Sequence, residues 1–212
     1  MTTNQRSPGD LSLRAFIEAV GSADEPHGAV SAAAVAGSLG SSLLQMVAAL
    51  PQTRSDSVDH RAKLIDVAAA LSRVRLQLIE TIETETAVRL FAARNMPQAS
   101  DAQHAERQAA IQLALRASAE VPLEVMRLCA RALELAASVA AHSPRAASAD
   151  AQLAVALLQV GFDGARVNLE AKLSSFTDAA YVTSVVDEIA RLGDETAAAT
   201  REAASLLEVP PA

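Results

Sequence analysis

The sequence predicts an all-α protein, a single domain built as an up-and-down bundle of long antiparallel helices, and three observations predict it. Half of the 212 residues are apolar yet only 2% are aromatic, so the core must be assembled from Ala, Leu, Val and Ile, residues that suit close-packed helices. The eight prolines and eight glycines gather at boundaries rather than falling every ten residues, as a turn-rich β protein requires. Several long stretches place apolar residues at three- and four-residue spacing with charges opposite, the period of an amphipathic helix.

The elements follow in order. DLSLRAFIEAV reads as a short first helix, entered through Asp10 or Ser7-Pro8 and closed by Gly21, with Leu11, Phe16, Ile17 and Val20 on one face. After the loop SADEPHG, residues Gly28 to Leu50 form one buried helix stopped by Pro51. On it Leu39, Leu43, Met46 and Leu50 are the expected packing stripe, while Ala29, Ala33, Gly37 and Gly40 or Ser41 form a stripe of small side chains that admits a close neighbour. A long pattern from about Val58 to Arg94 carries Leu64, Ala68, Leu71, Val74 and Leu78. At 1.5 Å per residue it spans about 50 Å, so antiparallel neighbours or a second subunit must cover it.

Asn95, Pro97 and Ser100-Asp101 make a connection and a new N-cap. From Asp101 to about Ala141 the pattern holds Pro122, which cannot donate to residue 118, so two helices or one kinked helix are expected. HSPRAAS is a loop, and Ser148 or Asp150 is the expected cap of a fifth helix reaching Leu173. Its packing face is expected to be Leu153, Leu157, Val160, Gly164 and Val167, with Gln159, Asp163, Arg166 and Glu170 solvated. A final amphipathic helix runs from about Asp178 to Leu207, before Val209-Pro210-Pro211.

A net charge of −7 gives no electrostatic reason to expect nucleic acid as a partner. The first ten residues contain no apolar core of a secretory leader, and no uncharged apolar run is expected to reach membrane-spanning length, so the expectation is a cytoplasmic protein without a membrane partner. Cys129, alone between Leu128 and Ala130, fits a packed thiol in a reducing compartment. His27, His60, His104 and His142 show no i, i+4 pair, and no metal site is expected from them. His27 beside Gly28 reads as a surface loop histidine that titrates near neutrality.

Three segments together resemble the formiminotetrahydrofolate cyclodeaminase and methenyltetrahydrofolate cyclohydrolase family. AIQLALRASAEVPLEV, residues 110 to 125, is similar to the family's A-I-Q-x-A-L-x-x-A-x-x-V-P-L. GAVSAAAVAGSLGSSLLQMVAAL resembles its glycine-opened helix, P-G-G-G-S-x-A-A-x-x-G-A-L-G-A-A-L-x-x-M-V-x-N-L-T. SADAQLAVALLQVGFDGARVN is similar to its S-D-A-G-V-A segment and the asparagine that follows. The resemblance implies a homodimer of helical protomers binding a folate in a groove near the subunit interface. It also implies either hydrolysis of the methenyl bridge of methenyltetrahydrofolate or expulsion of ammonia from formiminotetrahydrofolate to close that bridge. A carboxylate placed to move a proton suffices for both, without metal or cofactor.

Carried over by position, the resemblance makes Glu83, of the pair Glu83-x-Glu85, and Asp150 the catalytic candidates, and Gly28, Ser31, Arg54 and Asn168 the substrate-binding ones. Where the family has P-G-G-G-S this chain has His27-Gly28-Ala29-Val30-Ser31, and of the family's lysine run only Arg54 remains basic. A second family asparagine is Lys172. Glu83 otherwise reads as a solvated carboxylate and Asp150 as a helix cap. Asp150 and Asn168 lie eighteen residues apart on one helix, about 27 Å, too far to touch one reacting centre from the same protomer. The cyclohydrolase reaction is placed first because no formiminotransferase domain is fused. The competing expectation is a repurposed helical homodimer that has lost folate chemistry.

Overall fold

The computed structural model describes residues 11–22, 28–50, 58–82, 94–97 and 100–208. Within them lie six α-helices: α1 (Leu13–Val20), α2 (Ala29–Ala49), α3 (Val58–Ile82), α4 (Asp101–Ala140), α5 (Ser148–Leu173) and α6 (Ala179–Glu208). A 3-10 turn, Arg145–Ala147, precedes α5. No strand occurs among the described residues.

Helix α2 is central, packed between α3 and α5, while α4 lies across all three and carries α6 on its far side. The α2/α5 contact is made by small residues, because only there can two backbones approach closely. A Cβ added to Gly40 would stand 2.7 Å from the carbonyl oxygen of Ala154, and one on Gly161 would stand 2.8 Å from that of Ala33. Gly37 faces Cys129 and Leu78 in the same way. These pairings put Gly40 beside Ala154 and Ala33 beside Gly161 and Gly164, so α2 and α5 run antiparallel. Cys129 sits fully buried at this junction of α2, α4 and α5, and burial pushes its thiol pKa up to about 12.

The small-residue stripe of α2 packs as expected from Ala33 onward, with Ala29 exposed, and the large-residue stripes pack only in part: Leu43 and Leu50 lie against the core, but other members do not. Leu39 is 52% and Met46 is 42% exposed on α2, and Leu153 and Val160 on α5 are 53% and 60% exposed, with Val167 alongside them. The buried face of α5 is instead Ala151, Ala154, Val155, Leu158, Gly161, Phe162, Ala165 and Leu169. Burying the glycine and alanine faces against each other turns the larger apolar side chains outward, away from the protomer core. Leu64, Leu71, Val74 and Leu78 of α3 are buried as their spacing predicts. Gln159, Asp163, Arg166 and Glu170 lie on the polar side of α5, where Arg166 pairs with both Asp163 and Glu170.

Helix α4 passes through Pro122 as one continuous helix of 40 residues rather than breaking into two. The cost of the proline is local: it removes the N–H that would reach the carbonyl of Ser118. The first helix is capped by Ser12, whose Oγ accepts from the amide of Ala15 at 3.2 Å; Asp10, Ser7 and Pro8 lie outside the described residues. Ser100 caps α4 as expected, accepting from Gln103 N at 3.3 Å. Neither Ser148 nor Asp150 caps α5, because the preceding 3-10 turn brings the chain in already wound. The Ser148 hydroxyl donates back to the Arg145 carbonyl at 3.0 Å.

Candidate active site

Since α2 and α5 are antiparallel, the start of α2 lies at the level of the last turns of α5. Leu78 beside Gly37 brings the end of α3 to the same level, and Ser118 of α4 meets Lys172 of α5 there. One end of the bundle thus gathers Gly28, Ser31, Ser118, Asn168 and Lys172. Of the sequence-predicted set, Gly28, Ser31 and Asn168 are brought to this end, while Asp150 is left at the other. Glu83 and Arg54 lie outside the described residues.

Gly28 is the N-cap of α2 in ordinary extended backbone, φ −95° and ψ −154°, with no side-chain cap on the helix start. The first turn therefore has no cap from its own N-cap side chain, and the positive end of the helix dipole lies there. No positive φ occurs among the described residues, so Ala29 and Val30 sit here without backbone strain. Ser31, half-buried in that turn, presents a hydroxyl on the same helix start.

Asn168 is half-buried, and its Oδ1 is a buried acceptor without a hydrogen-bond partner. Such an atom forgoes part of its solvation without a return bond. Lys172 stands one turn further along the same face of α5. Its Nζ donates at 2.9 Å to the carbonyl of Ser118, the carbonyl that Pro122 leaves free. Burial lowers the Lys172 pKa, and the side chain has no carboxylate partner among the described residues. The sequence presents Lys172 as a departure from a family asparagine and, with Arg54, as a basic residue that could stand in for the missing lysine run; its pairing with a carbonyl freed by Pro122, fifty residues earlier, is not legible from either segment alone.

Around this end the helices are tied by polar contacts. Gln112 of α4 spans the α5–α6 turn, accepting from Thr177 N at 3.4 Å and donating to the Ser175 carbonyl at 3.5 Å. Arg116 pairs with Asp178 and lies over the Tyr181 ring, 5.0 Å from its centroid. The amide of Tyr181 holds the Asp178 carboxyl below its usual range, with the amide of Ala180 and Arg116 adding to the effect. Asp178 thereby caps α6 and fixes it against α4.

Asp150 occupies the first turn of α5, half-buried and without a hydrogen bond or ion pair among the described residues. It lies one turn before Ala154 and so beside the C-terminal half of α2. At the far end of α3, the rings of His60 and His142 meet edge to face, 5.1 Å between centroids. That contact joins two histidines 82 positions apart and left no mark in the local sequence.

A family model described as formiminotransferase-cyclodeaminase matches residues 12–191. A methenyltetrahydrofolate cyclohydrolase of Methylorubrum extorquens is 28% identical over 192 residues, covering 90% of this chain and 92% of that protein. A formimidoyltransferase-cyclodeaminase of Gallus gallus is 25% identical over 200 residues, and this chain spans 37% of its length. The crystal structure of a formiminotetrahydrofolate cyclodeaminase from Thermotoga maritima superposes with a TM-score of 0.82 at 20% identity, covering 94% of this chain and 96% of that one. This last likeness is one of fold.

Proposed function

Because the chain belongs to the formiminotransferase-cyclodeaminase family over residues 12–191, we propose that it acts on the one-carbon bridge of a reduced folate. The reaction placed first is hydrolysis of 5,10-methenyltetrahydrofolate to 10-formyltetrahydrofolate, with the formiminotetrahydrofolate cyclodeaminase reaction as its close relative. The observation that carries this order is the cyclohydrolase relative, which shares 92% of its own length with this chain. Water adds to the methenyl carbon, a carboxylate takes the proton, and the bond from that carbon to the ring nitrogen breaks to leave the formyl group. Asp150, unpartnered and half-buried, and Glu83 are the carboxylates assigned to this proton transfer. Gly28, Ser31, Arg54 and Asn168 are assigned to holding the substrate. The chemistry calls for no cofactor.

The protomer is proposed to work as a homodimer, seated on the apolar face of Leu39, Met46, Leu153, Val160 and Val167. That face runs along two adjacent helices, which is more than isolated surface leucines account for. Contrary to the sequence expectation, α2 is long and apolar enough to cross a membrane, but half of it is buried within the bundle, and the proposed seam covers apolar residues on its outer side. A free, buried Cys129 fits the cytoplasm.

The test follows the loss of methenyltetrahydrofolate absorbance with purified protein, repeated with Glu83→Gln and Asp150→Asn. Acceleration over buffer, lost in at least one variant, is expected. No acceleration by the wild-type protein would favour the repurposed dimer. Acceleration that survives both substitutions would reject the carboxylate assignment and leave the activity standing.

A further inference from the structure

Two features at the α4/α5 end are explained by packing only in part. The first is a half-buried ammonium without a carboxylate partner among the described residues, in a chain whose acidic residues outnumber the basic ones by 25 to 18. The second is its anchorage. Pro122 frees the Ser118 carbonyl, and Lys172 Nζ fills that vacancy at 2.9 Å. One of three N–H donors is used there, and the bond fixes where the ammonium stands. One turn earlier on the same face is Asn168, with its unpartnered buried Oδ1.

We propose that Lys172 is a substrate-binding residue. The proline-freed carbonyl holds the ammonium in place, and the two remaining N–H donors grip an oxygen acceptor of the substrate, either a ring carbonyl or a carboxylate. The proposal rests on the folate reading above and adds to it a residue and a chemical contact. A lysine here supplies charge where an amide would supply only a neutral donor, and it does so at the end of the bundle that also holds Gly28 and Ser31. A purely structural lysine would need only the bond to Ser118.

The two roles separate by substitution. Lys172→Gln keeps an N–H donor for the Ser118 carbonyl and removes the charge, while Lys172→Met removes both. Expected for Lys172→Gln are a melting temperature close to wild type and a KM raised roughly ten- to a hundredfold, the range for a lost charged hydrogen bond, with kcat changed far less. Lys172→Arg should recover most of the KM. A wild-type KM in Lys172→Gln would overturn the proposal and leave Lys172 as a cap.

A second measurement needs no variant at this position. The chain has only two lysines, Lys63 and Lys172, so lysine-selective 13Cε labelling gives two signals, assigned through Lys63→Arg. Saturating 5-formyltetrahydrofolate should shift the Lys172 signal and leave the Lys63 signal in place. No shift of Lys172, with binding shown by calorimetry, would overturn the proposal alone. Wild-type protein that neither binds nor turns over a folate would instead bring down the folate reading, and this proposal with it. The pteroate analogue, which lacks the glutamate, assigns the contact to the ring if the shift persists and to the carboxylates if it is lost.

Discussion

Replacing Gly40 by alanine tests the claim that backbone proximity between α2 and α5 holds the bundle together. The added Cβ would meet the Ala154 carbonyl oxygen at 2.7 Å, Leu158 Cγ at 2.8 Å and the Leu158 amide nitrogen at 3.1 Å. Two of these are main-chain atoms, so although a χ1 rotation can move Leu158 Cγ, no side-chain rotation relieves the other two. To bring the closest contact from 2.7 Å to the 3.4 Å of ordinary packing, α5 must retreat by about 0.7 Å. Overpacking of this kind costs about 1–3 kcal/mol, and a gap of that width forfeits a quarter or more of each nearby dispersion contact. Alanine returns about 1 kcal/mol of helix propensity, leaving a net loss of up to about 2 kcal/mol. Gly193 on α6 is the internal control, since its added Cβ meets nothing within 4 Å. There the propensity gain stands alone, and Gly193→Ala should stabilise by about 0.5–1 kcal/mol. Thermal unfolding followed by circular dichroism should therefore move the two variants in opposite directions, by about 2–4 °C per kcal/mol for a chain of this size. If Gly40→Ala melts at or above the wild-type temperature, the α2/α5 contact is not backbone-limited and the packing argument fails.

Gly37→Ala meets Cys129 Sγ at 2.7 Å, so Cys129→Ala should relieve it. The double variant should be more stable than the sum of the single effects by about 1 kcal/mol, whereas strict additivity in urea titrations would deny the contact. Val160→Lys places a charge at the centre of the proposed seam, and light scattering should show the particle mass halved; an unchanged mass would move the dimer elsewhere. A hydrogen bond from Arg127, at 2.8 Å, holds the Glu188 carboxyl below its ordinary range. A depressed carboxyl stabilises fully above its unfolded pKa of about 4.3 and loses that contribution as pH falls through the lower folded value. Because both side chains are partly exposed, Arg127→Met should cost only about 1 kcal/mol at pH 7, with the melting gap narrowing as pH falls below the unfolded carboxyl range. A gap that persists there would mean the loss is packing and not charge.

Helix existence and most helix ends were legible because they depend on neighbours in sequence: Gly21, Ser100 and Asp178 act within a turn of themselves. Facing was legible where one stripe is apolar and the other charged, as on α3. It held only in part on α2, where Leu43 and Leu50 do pack against the core, and on α5, because both stripes there are apolar and size decides. There, close approach of Ala33, Gly37, Gly40 and Gly161 buried the small face, and Leu39, Val160 and Val167 were left outside. For the candidate site the sequence names residues without their arrangement: helix register sets Gly28, Ser31 and Asn168 toward one end of the bundle, and Lys172 gains its place from a carbonyl that a proline frees on another helix.

Asp150 and Asn168 remain about 27 Å apart along α5, and no movement within one protomer brings them to a single methenyl carbon. A two-fold seam along the apolar side of α5, with its axis perpendicular to that helix, changes that geometry, because the two copies of α5 then run antiparallel and each helix end lies near the opposite end of its copy. On the proposed pairing, each cleft takes its carboxylate from one copy and its amide from the other. Two variants, Asp150→Asn and Asn168→Ala, should then each be impaired alone but partly active when unfolded together and refolded as a mixture. In a mixed dimer one cleft carries both substitutions and the other carries neither. Half of a random mixture is mixed dimer, so about a quarter of wild-type activity should return. A mixture no more active than its components would show that each cleft is built within a single chain, and Asp150 would then belong to a different site from Asn168.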